Sequence, residues 1–200
     1  MSKTFQSTFN GALEVSFRDG RKVLDSENAN YSYGSAQNVW SKVFKKIALG
    51  DLKTALVFGL GGGSVLDVLR SDFDYTGKIT AVEIDPIVVQ LAKEEFGIVE
   101  SKLLKIVCMD AYDYVLKRKG NFDLIVVDIS IDYTIPEKIL REDFWTSLAS
   151  RMNTNGTLVF NALNYTNKIA HIKEVLTNSG AQLKVIKKVN GTNTIVFAKF

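Results

Sequence analysis

From residue 54 onward the chain repeats one pattern, and that pattern limits what it can fold into. "TALVFG" (54–59) is apolar from Ala55 to Phe58 before its glycine, and "GSVLDVLRSD" (63–72) follows with helical spacing. "KITAVEI" (78–84) and "DPIVVQLAKEEFG" (85–97) repeat the pair, as do "LLKIVC" (103–108) and "DAYDYVLKRK" (110–119). "FDLIVVDIS" (122–130), "REDFWTSLASRM" (141–152), "GTLVFNAL" (156–163) and "NKIAHIKEVLTNSG" (167–180) continue it. Short runs that are apolar on both faces and alternate with amphipathic helices predict a parallel sheet covered on both sides. The last two runs, "AQLKVIKKV" (181–189) and "NTIVFAKF" (193–200), have no helix between them. They predict an antiparallel strand at one edge of a mostly parallel α/β sheet.

The first 50 residues read differently. "LEVSF" (13–17) and "RKVLD" (21–25) flank Arg18-Asp19-Gly20, which is hairpin chemistry. Val39, Trp40, Val43, Phe44 and Ile47 share one helical face, with Gly50 as the expected C-cap. The expected organisation is a hairpin-and-helix appendage over 1–50 and an α/β body over 51–200.

Composition narrows the function classes. Lys plus Arg is 25, Asp plus Glu is 22, and the net charge is +3, too small and too scattered for a nucleic-acid partner. The basic clusters at 42–47 and 184–189 sit inside apolar patterns and read as solvated faces. The single cysteine, Cys108, excludes an internal disulfide and reads as a small buried thiol. One histidine and one cysteine do not make an ordinary zinc site, so no metal is expected. No apolar run has the length of a membrane span and the N-terminus lacks a signal-peptide core, so no membrane partner is expected and the cytoplasm follows by default.

In an open parallel sheet the ligand lies beyond the C-terminal strand ends, at the switch point. There the first βα turn reads Gly59-Leu60-Gly61-Gly62-Gly63. Glycine removes Cβ and bares N–H groups at a helix N-terminus, although plain packing also produces such turns. Glu83 ends the next strand, twenty positions after Gly63, where a carboxylate can accept both hydroxyls of a ribose. Asp110 and Asp128 end two more strands. Acids at three strand tips beside a glycine turn suit an adenosine group with a second polar group beyond it. Both NAD and S-adenosylmethionine (SAM) fit a glycine turn followed by an acid. Ser64 stands where a dinucleotide fingerprint needs its last glycine, and the spacing G-x-G-x-G, the Asp110-Ala111 pair and the closing strands favour SAM.

"LVFGLGGGSVLDVL", "ITAVEIDPIVVQLAKEEFG", "VCMDAYDYV" and "FDLIVVDIS", in this order, resemble the class I SAM-dependent methyltransferases, and more narrowly their spermidine synthase-like, or polyamine aminopropyltransferase, branch. The resemblance covers roughly residues 10 to 165 and implies a Rossmann-like methyltransferase fold with a seven-stranded sheet. It implies that Gly59, Gly61 and Gly63 line the methionine part of the cofactor. Glu83 would bind the ribose, with Ile84 against the adenine and Asp110 and Ala111 at its edge. Asp128 corresponds to the acid that orients and deprotonates the attacking amine. Tyr33, Asp132 and Tyr133 are the expected substrate contacts. The amine half departs from the synthase pattern: Gly62 stands where the synthase turn carries an acid, Ile131 stands at the second acid position of the loop, and Gly34 and Ser35 replace the gate's His-Glu.

The expected function is methyl transfer from SAM to a small molecule, possibly an amine. Aminopropyl transfer from decarboxylated SAM is the alternative, and a non-catalytic nucleoside-binding module is the third reading. The resemblance also makes a homodimer the expected assembly, with the N-terminal hairpin as its contact.

Overall fold

The structure is a computed structural model, and it describes residues 2–27, 34–165 and 169–200. It opens with an antiparallel sheet of three strands, β1 (Lys3–Ser7), β2 (Gly11–Arg18) and β3 (Arg21–Ser26). The expected hairpin is β2–β3, with Arg18 paired to Arg21 across Asp19 (φ 53) and Gly20 (φ 77), the two positive φ values of a type I′ turn. Strand β1 is an addition to the sequence reading. "KTFQS" carries a single large apolar side chain, and what makes it a strand is its pairing with β2, from Lys3 opposite Val15 to Ser7 opposite Gly11.

Helix α1 (Ser35–Phe44) is shorter than expected, and Gly50 does not cap it. Lys46 N–H reaches back to Val43 O and Ile47 N–H to Phe44 O, so the last turn tightens to i→i+3 bonds. The tightening turns Ile47 and Leu49 into the core that Val39, Trp40, Val43 and Phe44 already occupy. A sequence reading that follows the apolar spacing overshoots here, because the same side chains stay buried after the helix ends.

The body follows the expected alternation. It runs β4 (Thr54–Phe58), α2 (Ser64–Asp67) with a π-helical continuation over Val68–Asp72, β5 (Lys78–Glu83), α3 (Pro86–Glu94), β6 (Leu104–Cys108), α4 (Ala111–Lys117) and β7 (Phe122–Val127). A 3-10 turn (Glu137–Leu140), α5 (Glu142–Ala149), β8 (Met152–Asn161), α6 (Ala170–Asn178), β9 (Gln182–Val189) and β10 (Asn193–Lys199) complete it. The seven strands lie in the order β6-β5-β4-β7-β8-β10-β9. The first five pair in parallel, and β10 pairs antiparallel with both β8 and the outermost strand β9. The antiparallel element therefore lies at the expected end of the sheet, one place in from the edge.

Period-two alternation divides each central strand between two cores. Leu56, Phe58, Ile125 and Val127 face the layer of α4, α5 and α6, with Phe144, Trp145 and Leu148. Ala55, Val57, Leu124 and Val126 face the layer of α1 and α2. The N-terminal sheet has its own small core, where Leu13, Val15 and Leu24 pack on Val88 and Leu91 of α3. Two polar contacts fix that docking. Ser7 Oγ and Asn10 Nδ2 donate to the fully buried Asp85 carboxylate, and Lys3 and Lys22 pair with Glu95.

Cys108 corrects an expectation. Its thiol is exposed, because β6 is an edge strand and Cys108 is its last residue.

Candidate active site

The chain leaves β4 for β5 and then β6 on one side, and later adds β7 and β8 on the other, so the switch point lies between β4 and β7. The ladders stay closed right up to it. Gly59 N–H donates to Val82 O at 2.9 Å and Asp128 N–H donates to Phe58 O at 2.9 Å. Gly59 (φ 89) is forced: a Cβ there would lie 2.0 Å from the Asp128 carbonyl oxygen. Gly63 is forced by its backbone, φ 86 in the left-handed region, since a Cβ there would meet only the movable end of Ile98, 1.9 Å from Cδ1. The two glycines thus have different jobs. Gly59 and Gly61 line the cavity above the strand tips, whereas Gly63 packs against Ile98 and is not among the lining residues.

Glu83, at the tip of β5, is held by backbone donors. Leu60 N–H reaches its Oε2 at 2.9 Å and Asp85 N–H its Oε1 at 3.1 Å. Burial pushes its carboxyl above the usual range, while the N–H groups of Leu60, Asp85 and Gly61 pull it back down. Three backbone donors leave one of the carboxylate's four acceptor positions, which can still take a ribose hydroxyl. Ile84 lines the cavity beside it. Asp85 then caps α3, accepting Ile87 N–H at 2.9 Å with Pro86 at N1.

Asp110 follows β6 as the N-cap of α4, its Oδ1 accepting Asp113 N–H at 3.1 Å. Its other oxygen is ion-paired with Lys138 from the 3-10 turn. Ala111 and Met109 line the cavity next to it.

Asp128, at the tip of β7, carries the most specific arrangement. Trp40 Nε1–H donates to Oδ2 at 2.8 Å, and Asn161 Nδ2–H donates to Oδ1 at 3.0 Å. Burial raises its pKa, and the two side-chain donors oppose the rise. Asn161 is itself buried, and its Oδ1 accepts Leu163 N–H at 3.2 Å, so its amide orientation is fixed.

Beyond Asp128 the loop bends. Asp132 (φ 50) sits in a turn where Ile131 and Thr134 bond each other, and its Oδ1 accepts from Ser26 Oγ at the end of β3. Tyr133 lines the cavity and is 61% exposed. Tyr33 lies outside the described residues. The expected residues other than Tyr33 and Gly63 therefore border one cavity of about 950 Å³, which also takes Phe9 from the β1–β2 turn, Lys187 and Lys188 of β9, Asn193 and Thr194 of β10 and the turn 190–192 between them.

Several residues of this site were not singled out by the sequence. Trp40 reads as core by its spacing, yet a buried indole N–H needs an acceptor, and that requirement was the available signal. Asn161, like Asn164, reads as a substrate contact or a turn residue after its strand, with nothing to tie it to Asp128. Lys138 carries no signal at all, because nothing local says that its ammonium meets Asp110. In "QLKVIKKV" alternation holds to Val185 and then breaks at Ile186 and again at Lys188, and such a break is compatible with a bulge.

The strand order and the cavity at the switch point define a Rossmann-like, methyltransferase-type fold. The family model described as "Spermine/spermidine synthase domain" matches residues 43–193, and the chain belongs to that family. A protein of Bifidobacterium longum named "Probable polyamine aminopropyl transferase" is 28% identical over 159 residues, covering 76% of this chain and 35% of that protein. The mouse "eEF1A lysine and N-terminal methyltransferase" is 32% identical over 118 residues, 54% of this chain and 17% of that protein. The chain thus spans about a third of one curated relative and less of the other. A crystal structure of "a probable spermidine synthase from Corynebacterium glutamicum" shares the fold at TM-score 0.79 and 13% identity, covering all of this chain and 80% of that one.

Proposed function

We propose that the chain binds SAM across the tips of β4, β5 and β6 and transfers its methyl group to a small-molecule acceptor held near Asp128. The observation that carries this reading is the turn from Gly59 to Ser64. It borders the cavity with backbone and a serine, and it has no acidic side chain. An amino-acid carboxylate on the donor meets no like charge from this turn. Relatives in both branches support transfer from a SAM-type donor, and one is named as a methyltransferase.

The cavity fits such a donor by its chemistry. Gly59 and Gly61 leave room for the amino-acid end, Glu83 offers its remaining acceptor position to a ribose, and Ile84, Met109 and Ala111 give an apolar wall for a base. When bound, SAM supplies a methyl group on a sulfonium that is already an activated leaving group. The protein's own contribution is then alignment and proton handling. Alignment alone is worth about 7–11 kcal/mol when both reactants are held in line. Asp128 accepts the proton that the nucleophile loses, and its Trp40 and Asn161 contacts fix the carboxylate for that task. The C–S bond breaks as the bond from carbon to the acceptor forms.

Aminopropyl transfer from decarboxylated SAM is the second reading, favoured by the family match and the Bifidobacterium relative. Calorimetric titration with SAM, decarboxylated SAM, methylthioadenosine and NAD separates the two. Preference for SAM is expected. Preference for the decarboxylated form overturns methyl transfer in favour of aminopropyl transfer, and binding of none of the four sinks the nucleoside site itself.

A further inference from the structure

The reaction described above leaves the far end of the cavity unused. That end is built by β9, β10 and the turn between them. Asn193 stands opposite Val189, but Ile195 stands opposite Ile186, so Lys187 and Lys188 together face Thr194. This is a β-bulge, and Lys188 holds a φ of 57 within it. A regular strand sends neighbouring side chains to opposite faces, whereas both of these lysines border the cavity. Lys42 Nζ of α1 donates to Asn190 Oδ1 at 3.2 Å and ties the turn down. Sparsely populated backbone beside a cavity persists where the surroundings impose it, and such positions cluster at ligand sites.

The charges around the cavity are unequally committed. Glu83 accepts from Leu60 and Asp85, Asp110 from Asp113 and Lys138, Asp128 from Trp40 and Asn161, and Asp132 from Ser26. Lys138 is taken by Asp110. Lys188 O accepts from Gly191 N–H at 3.1 Å, but the side chains of Lys187 and Lys188 make no hydrogen bond or ion pair with any described residue. Among the described residues only Asp110 of these acids is neutralised by a cation, while Lys187 and Lys188 are the cations bordering the cavity that pair with no described carboxylate.

We infer that the Lys187-Lys188 bulge is the acceptor-specificity site, and that it selects a small acceptor carrying an anionic group, carboxylate or phosphate, distal to its nucleophile. This deepens the proposed methyl transfer and rests on it for the position of the nucleophile at Asp128. Strand order separates β9 from β7 by three interstrand steps, roughly 14 Å at the usual spacing, and lysine side chains shorten the gap. The acceptor is then an extended molecule with its reactive group at one end and its anion at the other.

Succinate and putrescine, matched in chain length and opposite in terminal charge, are the probes. They are titrated calorimetrically into the full chain saturated with S-adenosylhomocysteine, first as wild type and then as Lys187→Glu/Lys188→Glu. Succinate is expected to bind wild type more tightly than putrescine, and the charge reversal is expected to weaken it by roughly tenfold or more. If the reversed pair does not fold, Lys187→Gln/Lys188→Gln is read in the same way. Putrescine binding as tightly as succinate, succinate binding equally to wild type and variant, or no succinate heat with wild type each overturns the inference. The S-adenosylhomocysteine titration is read separately. Its failure sinks the nucleoside reading and leaves the two probes interpretable on the unloaded chain.

Discussion

The two halves of the cavity are held together by different kinds of bond. At the tips of β5 and β6, both cavity carboxylates are anchored by backbone N–H groups, Asp85 N–H and Leu60 N–H on Glu83 and Asp113 N–H on Asp110, with Lys138 added on the far oxygen of Asp110. Over β7 and beyond, the anchors are side chains from distant segments. Trp40 reaches Asp128 across 88 positions, Ser26 reaches Asp132 across 106, and Asn161 reaches Asp128 across 33. Backbone donors survive almost any substitution that preserves the fold. Side-chain donors change with a single codon. A family can therefore keep one nucleoside half while its acceptor half is rebuilt, and the relatives named as aminopropyl and methyl transferases are consistent with that division.

The contrast is tested most sharply at Asp128. Asp128→Asn is expected to cost about 10²–10⁴-fold in turnover, the usual contribution of a general base, while leaving SAM affinity within roughly twofold. The readout is transfer of labelled methyl beside a binding titration. The wild-type pH profile adds a sign. Burial raises the pKa of Asp128, so the base is ionised only above a point displaced upward from the ordinary carboxylate range. Turnover rises with pH through that point, and the variant's residual activity lacks this limb. A variant that stays fully active removes Asp128 from the reaction.

Gly59→Ala comes next, because it strikes both halves at their seam. The new methyl would sit 2.0 Å from the Asp128 carbonyl at a φ of 89, and neither backbone can yield without opening the β4–β7 ladder. A loss of about 3 kcal/mol or more is expected in urea unfolding. Gly63→Ala should cost less, since the far end of Ile98 can turn away. Equal losses would mean that the seam is softer than the geometry implies.

Glu83→Ala separates the halves from the other side. It is expected to weaken SAM by about 1.5–3 kcal/mol, the scale of hydrogen bonds to a charged group. Unchanged affinity in the titration would remove Glu83 from the pocket. Trp40→Phe keeps the ring and deletes only the Nε1–H, so a roughly tenfold fall in turnover is expected, with the acid limb moving further up. Lys138→Ala is the mildest. Its partner Asp110 stays capped on Asp113, and the lysine side chain is 44% exposed, so SAM affinity should change by less than about 1 kcal/mol.

Much of this was legible in the sequence because it is local. The apolar runs, the Asp85-Pro86 cap, the Asp110 cap and the glycine turn are each read within a few residues, and their chemistry has few solutions. The N-terminal segment was read less well. "KTFQS" has no strand pattern of its own and is ordered by β2, and the apolar stripe after Phe44 continues past the helix it predicts. Cys108 looked buried by its neighbours and is exposed by its place at a sheet edge.

The alternating α/β architecture, the turn at the end of β4 and the acids at three strand tips are written in the order of residues. Periodicity, capping and backbone conformation act over a few residues, and the chain states them directly. Which strand became the edge, that Gly63 packs on Ile98 while Gly59 faces the cavity, and which donors hold Asp128 were settled by the folded packing. Those outcomes depend on which segments meet across the sheet. Burial and side-chain hydrogen bonding between residues tens of positions apart are fixed only when the layers close on one another.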